Sequence, residues 1–291
     1  MRTIPLGPNA LPVTVIGYGG MHVSIDGRPP EEQGIEVIHA ALDAGETLID
    51  TADVYCLDHA DIGHNERLIA RALSTWKGRR ESIVVATKGG LTRPQGRWER
   101  DASPRHLREA CDRSLKALGV QRIDLYQLHA PDHNVRFEDS VGTLAELQKA
   151  GKIRWVGLSN VSVAEIKKAE AIVPITSVQN RLNPFFREAL ADGVVAYCAS
   201  RGIGFLAYSP TGGGRLTRKI PQIPVLQTIA RRLGVSPHQV CLAWVLKQGA
   251  TVIAIPSSRT VEHAVDGARS ADVTLTPEDL RAIDAAEFSR A

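Results

Sequence analysis

Eight short apolar or β-branched runs recur along the chain, each followed by a longer stretch whose apolar residues have helical spacing. They are TVIGYGG, TLID, SIVVATK, DLYQLH, IRWVGLSN, ITSVQN, IGFLAYSP and TVIAIPS. Most are apolar almost throughout, which suits strands buried on both faces in a parallel sheet covered by helices. The intervening stretches open on helix-start signals. Ser103-Pro104 and Thr276-Pro277 put a capping hydroxyl before a proline, and Ser162 with Glu165 and Ser236 with Gln239 read as capping boxes. Eight such α/β units either close into a (β/α)8 TIM barrel or form an open doubly wound sheet. An open sheet that binds a dinucleotide carries GxGxxG after its first strand; here that place reads GYGGMH, Gly17 to His22, with no acidic residue at the expected distance. The expectation is one closed barrel over residues 1–291, opened by a short N-terminal β-hairpin and divided by no linker or repeat.

Composition narrows the function classes. A chain of 291 residues, 43% hydrophobic, can bury a large core. The formal charge of +3 is spread among interspersed acids and bases, which is no nucleic-acid footprint. No apolar run approaches the roughly 18 residues of a membrane span. Pro5, Gly7, Pro8 and Pro12 break up any secretory leader, and Cys56, Cys111, Cys198 and Cys241 lie far apart with no CxxC pair. A reduced, cytoplasmic, monomeric protein acting on a small molecule is expected, with no nucleic-acid or membrane partner.

In a closed barrel, chemistry gathers where the strands end. The strand ends read Asp50, Lys88, His129, Ser159-Asn160, Gln179-Asn180 and Tyr208-Ser209-Pro210, and Tyr55 stands five residues after Asp50. Taken singly, each has a structural explanation: an Asp caps a turn, a Lys is solvated, a Tyr packs, a His is a satisfied buried residue. Together they fit carbonyl reduction, which needs a proton delivered to a developing alkoxide. Tyr55 supplies that proton if its pKa of about 10 is brought down by the Lys88 ammonium. Asp50 holds Lys88 charged, and His129 polarises the carbonyl by hydrogen bonding.

These same residues sit in motifs that resemble the aldo-keto reductase family: LIDTADVY (48–55), ATKGG (86–90), RIDLYQLHAPD (122–132), GKIRWVGLSN (151–160), SVQN (177–180), AYSP (207–210) and IPSSRTVEH (255–263). The resemblance implies a TIM barrel, a tetrad of Asp50, Tyr55, Lys88 and His129 with Tyr55 as proton donor, and NADPH extended across the barrel mouth. It further implies that Ser159, Asn160 and Gln179 hold the nicotinamide carboxamide and that Tyr208 stacks on the ring. Ser209, Thr211 and the backbone of Gly212 to Gly214, Gly213 among them, then approach the pyrophosphate. Ser257, Ser258 and Arg259 meet the adenosine 2′-phosphate, with Ser258 opening a helix. The chain departs from the family at two places. His263 stands where a basic residue or glutamine is common, and Gly267 where asparagine is usual; both bear on the adenosine end and leave NADH open as an alternative. Met21, His22 and Trp98 are candidates for the substrate pocket, Trp98 on the loop GGLTRPQGRWERDASP. The short segment after Tyr208 and the short tail after Phe288 suggest an open pocket.

Asp58, His59, Asp61 and His64 cluster in the loop after Tyr55, without HExxH or another ligand spacing; a solvated loop with a helix cap explains them, and no metal is expected. Cys56 reads as a buried, inert thiol. The competing function is a non-enzymatic nicotinamide-binding regulatory subunit of the same fold, since subunits of that kind can retain the tetrad.

Overall fold

The computed structural model describes residues 1–291. Eight parallel strands form the sheet: β1 (Tyr18–Gly19), β2 (Leu48–Asp50), β3 (Val84–Gly89), β4 (Ile123–Leu128), β5 (Ile153–Ser159), β6 (Ile175–Arg181), β7 (Gly204–Tyr208) and β8 (Val252–Ala254). They are ordered in space as in sequence. The sheet closes on itself: Ile16 bridges Ala254 in parallel, Gly17 N–H donates to the Ala254 carbonyl at 2.9 Å, and Gly19 N–H to the Pro256 carbonyl at 2.8 Å. The expected barrel is therefore present, and so is the N-terminal hairpin, Thr3–Pro5 against Pro12–Thr14.

Helices cover the outside: α1 (Glu31–Asp43), α2 (His64–Thr75), α3 (Pro104–Leu118), α4 (Phe137–Lys149), α5 (Val163–Glu170), α6 (Val194–Arg201), α7 (Pro237–Leu246) and α8 (Val261–Arg269), with the helices Pro224–Leu233 and Pro277–Ala285 and several shorter ones between and after them. The start signals act as the sequence indicates. Ser103 caps α3 by accepting from His106 N–H, and Ser162 and Ser236 form reciprocal capping boxes with Glu165 and Gln239. Thr276 makes a third such box with Asp279 ahead of the helix Pro277–Ala285. One expected start is displaced. Ser258 does not open a helix; α8 begins at Val261, and Thr260 is its cap, accepting from His263 N–H. Beyond β8 the chain is still tied to its neighbours, Ile255 N–H donating to the Ala207 carbonyl and Gly19 N–H to that of Pro256, and Thr260, extended at φ −133° and ψ 149°, is the residue whose hydroxyl reaches the first turn.

The strand period of two explains where the site lies. On the barrel interior, Leu48, Val84, Ala86, Leu125, Trp155, Leu206 and Ile253 pack into one cluster with Leu6 and Val13 of the hairpin, which plugs the N-terminal end. Two backbone approaches make this plug possible, because a Cβ at Gly7 would lie 2.0 Å from the Thr176 carbonyl oxygen and one at Gly204 2.0 Å from that of Leu6. Further along the same inward-facing rows the residues turn polar. Leu48 is followed by Asp50, Ala86 by Lys88, Leu125 by Gln127 and His129, Trp155 by Ser159, and Leu206 by Tyr208. An apolar layer below and a polar layer above give a barrel with a solid floor and a reactive mouth.

Candidate active site

The centre of the mouth is a buried ion pair. Lys88 Nζ donates to Asp50 Oδ2 at 2.6 Å, to the Thr51 carbonyl at 2.8 Å and to Tyr55 Oη at 2.9 Å. These acceptors take all three ammonium protons. Two charges removed from water are tolerated only when the remaining lone pairs are also satisfied. Asp50 meets that condition, since Oδ1 accepts from Gln179 Nε2 at 2.7 Å and from Gln127 Nε2 at 3.2 Å. Burial pushes the Lys88 ammonium toward neutrality, but Asp50 and Tyr55 outweigh it and hold its pKa above the usual lysine value.

Tyr55 receives a hydrogen bond from Lys88, so the phenol's own O–H remains available, and Tyr55 lines a cavity of about 300 Å³. The expected lowering of its pKa is not what the structure gives. Burial raises it, and the Lys88 charge offsets this only in part. The phenol is thus protonated at neutral pH, the form a proton donor requires. Its ring meets His129 edge-on at 5.8 Å and Trp98 edge-on at 6.4 Å between centroids.

His129 is buried, and burial together with the Lys88 charge holds its imidazole well below the usual range. A pKa depressed in this way leaves the neutral ring populated above the depressed value and lost only as pH falls through it. Catalysis that depends on neutral His129 should therefore pass through no histidine transition between pH of about 5.5 and 7.5, on either side of the ordinary value near 6.5. A kcat/KM profile for carbonyl reduction checks this; a transition near 6.5 that disappears in His129→Gln would contradict it.

Above the tetrad, two non-glycine residues adopt positive φ, Asn160 at 59° and Ser209 at 47°, and both line the same cavity. Such conformations cost free energy and persist where surrounding bonds enforce them. Asn160 Nδ2 donates to the His129 carbonyl at 3.0 Å and to Ser159 Oγ at 3.1 Å, while its Oδ1 accepts from Tyr208 Oη at 2.8 Å. Asn183 Nδ2 donates to the Ser209 carbonyl at 2.8 Å. Asn180 turns away from the cavity and clamps the Val161 backbone through both ends of its amide. Gln179 faces the cavity, but its amide nitrogen is spent on Asp50 and Gln127; only its Oε1 is free.

A second cavity, about 790 Å³, adjoins the first, and His22, Thr211, Gly214, Thr217 and Ser257 line both. It leads from the nicotinamide end implied by the sequence toward Ser258, Arg259 and His263. Ser257 Oγ accepts from His22 N–H at 3.2 Å. Arg259 donates from Nε to the His22 carbonyl at 3.1 Å and from Nη2 to the Asp26 carbonyl at 2.8 Å, so it also ties down the segment between β1 and α1. His263 is exposed at the rim. The short stretch after Tyr208 contains a one-turn helix, Gly214–Thr217.

Met21, His22 and Trp98 all line the smaller cavity. The segment carrying Trp98 is more ordered than a loop: Leu91–Thr92 pairs antiparallel with Glu99–Arg100, and Arg93 stacks its guanidinium 4.0 Å over the indole. Arg93 in turn donates to the carbonyls of Cys56 and Leu57, each at 3.1 Å. Three of the acidic and histidine residues after Tyr55 have separate partners. Asp58 accepts from Ala60 N–H, Asp61 pairs with Arg28, and His64 bonds Ser24 Oγ. The Cys56 thiol is buried and pushed up to about 11, chiefly by burial.

The family-wide sequence model of the aldo/keto reductases matches residues 15–287. The chain belongs to the aldo/keto reductase family. A probable aldo-keto reductase of Glycine max is 32% identical, over 97% of this chain and 88% of that one. Among solved structures, a glycerol dehydrogenase from Gluconobacter oxydans superposes with a TM-score of 0.83 at 29% identity, covering 97% of this chain and 94% of its own. An aldo/keto reductase from Klebsiella pneumoniae, solved with NADP and acetate, gives 0.81 at 25% identity, covering 98% and 95%. No helix of this family member is long and apolar enough to cross a membrane.

Two further residues, Gln127 and Asn65, support this site beyond those expected from the sequence. Gln127 lies two residues before His129 on the same inward row, so strand alternation alone would have pointed to it. Asn65, fully buried, accepts from Thr51 Oγ1 at 2.5 Å and donates to the Gly20 carbonyl at 2.8 Å and Ser24 Oγ at 2.7 Å. It ties β2 to the segment after β1, and a helix-borne asparagine carries no sequence signal for that role.

Proposed function

We propose that this protein reduces small aldehydes and ketones to alcohols using NADPH, with Tyr55 as the proton donor. The observation that carries the proposal is the Tyr55 phenol, protonated and hydrogen-bonded by a buried Lys88 at 2.9 Å, beside a neutral His129 at a cavity floor. When bound, the dihydronicotinamide supplies the hydride. His129 donates an N–H to the carbonyl oxygen and sets its angle. Tyr55 donates its proton to the same oxygen as negative charge grows there, and Lys88 stabilises the phenolate left behind. Asp50 keeps the ammonium in position, while Gln127 and Gln179 keep Asp50 in position.

The residues present fit a dinucleotide. A nicotinamide carboxamide offers one acceptor and two donors. Gln179 Oε1 is an unused acceptor for one donor, and Ser159 Oγ and the Asn160 amide lie in the same cavity. Ring stacking falls to Tyr208, pyrophosphate contacts to Ser209, Thr211 and Gly213, and the adenosine end to Ser257, Ser258, Arg259 and His263. Gly213 has φ +69°, a conformation that suits a backbone approached closely by a phosphate. On the substrate side, Met21, His22 and Trp98 present a mixed apolar and aromatic wall. Depletion of the reduced cofactor with a panel of aldehydes tests the proposal; tight NADPH binding with no turnover of any carbonyl would favour a regulatory subunit instead.

Arg259 should govern preference between the two nicotinamide cofactors. Two of its nitrogens hold the His22 and Asp26 carbonyls, and Nη1 remains for the 2′-phosphate. Arg259→Ala should weaken NADPH by roughly ten- to a hundred-fold, the worth of a charge-assisted hydrogen bond of about 1.5–3 kcal/mol. NADH should weaken only slightly, through the freed segment, and the NADPH effect should shrink with salt. Equal weakening of both in a titration would make Arg259 a purely structural tether.

A further inference from the structure

The larger cavity is also lined by a buried carboxyl to which no role has been assigned above. It belongs to Glu46, in the turn before β2, which is 2% exposed and whose Oε2 has no hydrogen-bond partner. Ser258 Oγ, lining the same cavity, is a second buried oxygen without a partner. Tyr18, also lining this cavity, is already committed, donating to the Ser258 carbonyl at 3.4 Å. Beside them α8 carries Gly267, where an added Cβ would meet only Pro256 Cγ at 3.6 Å. No side chain at that position fills the space, and the cavity runs on to the carboxyl.

A buried polar group without a partner costs free energy, so its retention beside a ligand cavity calls for a ligand group that satisfies it. Burial also holds the Glu46 carboxyl well above its usual range, which favours its protonated form. A protonated carboxyl presents an O–H donor beside a carbonyl acceptor. Adenine presents the complement along either hydrogen-bonding edge, an amino donor beside a ring-nitrogen acceptor. We infer that Glu46 is a base-recognition residue, pairing with the adenine of the nucleotide, with Ser258 Oγ as a neighbouring polar contact. The inference rests on the cofactor reading above and adds to it the residue that reads the base.

The test uses the intact protein and three probes: NADPH, 2′,5′-ADP, which keeps the adenosine half, and reduced nicotinamide mononucleotide, which lacks it. Glu46→Met removes both hydrogen-bonding atoms and should weaken 2′,5′-ADP about tenfold, the loss of two modest hydrogen bonds. The mononucleotide should bind as before. Glu46→Gln retains a donor and an acceptor and should bind 2′,5′-ADP within about threefold of the parent. Exchanging an unpartnered buried acid for an apolar side chain should not lower the melting temperature, so loss of fold is separable from loss of binding. If NADPH binds the parent and Glu46→Met holds 2′,5′-ADP undiminished, Glu46 is a structural acid only and the inference fails alone. If the parent binds no NADPH, the cofactor reading fails first and takes this inference with it.

Discussion

Tyr55→Phe should lower kcat for carbonyl reduction by about 10²–10⁴-fold, the usual contribution of a positioned general acid. The change deletes one oxygen from a ring whose edge contacts to His129 and Trp98 remain. It removes one of three acceptors from Lys88, leaving Asp50 Oδ2 and the Thr51 carbonyl. The pocket should keep its shape, and the dissociation constant for NADPH should be nearly unchanged. Rapid-quench measurement of the reductive step, with cofactor titration alongside, separates the two quantities. A variant retaining more than about a tenth of the parent kcat would rule out Tyr55 as the principal proton donor.

Lys88→Met should damage both chemistry and stability. The ammonium is fully buried, and its removal leaves the Asp50 carboxylate inside the barrel with only the Gln127 and Gln179 amides as donors. Breaking one side of a buried ion pair costs about 3–5 kcal/mol, more than dissolving the whole pair into neutral residues. The double variant Lys88→Met with Asp50→Asn should therefore recover much of the lost denaturation midpoint while remaining inactive. The ammonium that stabilises the phenolate is absent in both, so kcat should stay depressed in both. Equal stability of the single and double variants would mean that the pair is not the constraint its geometry implies. Full activity in either would mean that Tyr55 acts without Lys88.

Much of this site is legible in the sequence because a barrel strand writes its inward row at every second position. Reading Asp50, Lys88, His129, Ser159 and Tyr208 at strand ends was enough to assemble a mouth, since the sheet closure brings all strand ends to one rim. The local signals with a covalent or hydrogen-bonded mechanism behind them were equally readable, as the caps at Ser103, Ser162, Ser236 and Thr276 illustrate. What the chain does not display is competition between partners. Whether Lys88 or burial controls the Tyr55 pKa depends on how completely the phenol is enclosed, a property of packing from several elements. The two bonds from Arg259 to the His22 and Asp26 carbonyls depend on segments more than two hundred residues apart meeting at barrel closure. Helix α8 starts at Val261 and not at Ser258 for a similar reason, because the end of β8 sets where the chain is free to turn.

The most direct measurement follows the hydride itself. NADPH carrying deuterium on the transferable ring position is incubated with an accepted aldehyde, and the alcohol is examined by mass spectrometry and NMR. Direct transfer at a mouth built around Tyr55, Lys88, Asp50 and His129 predicts one deuterium on the carbinol carbon and none from solvent. It also predicts that Tyr55→Phe reduces the amount of labelled alcohol without changing where the label sits. Cofactor bound with no labelled alcohol from any carbonyl, or label appearing from solvent at that carbon, would contradict the proposed reduction.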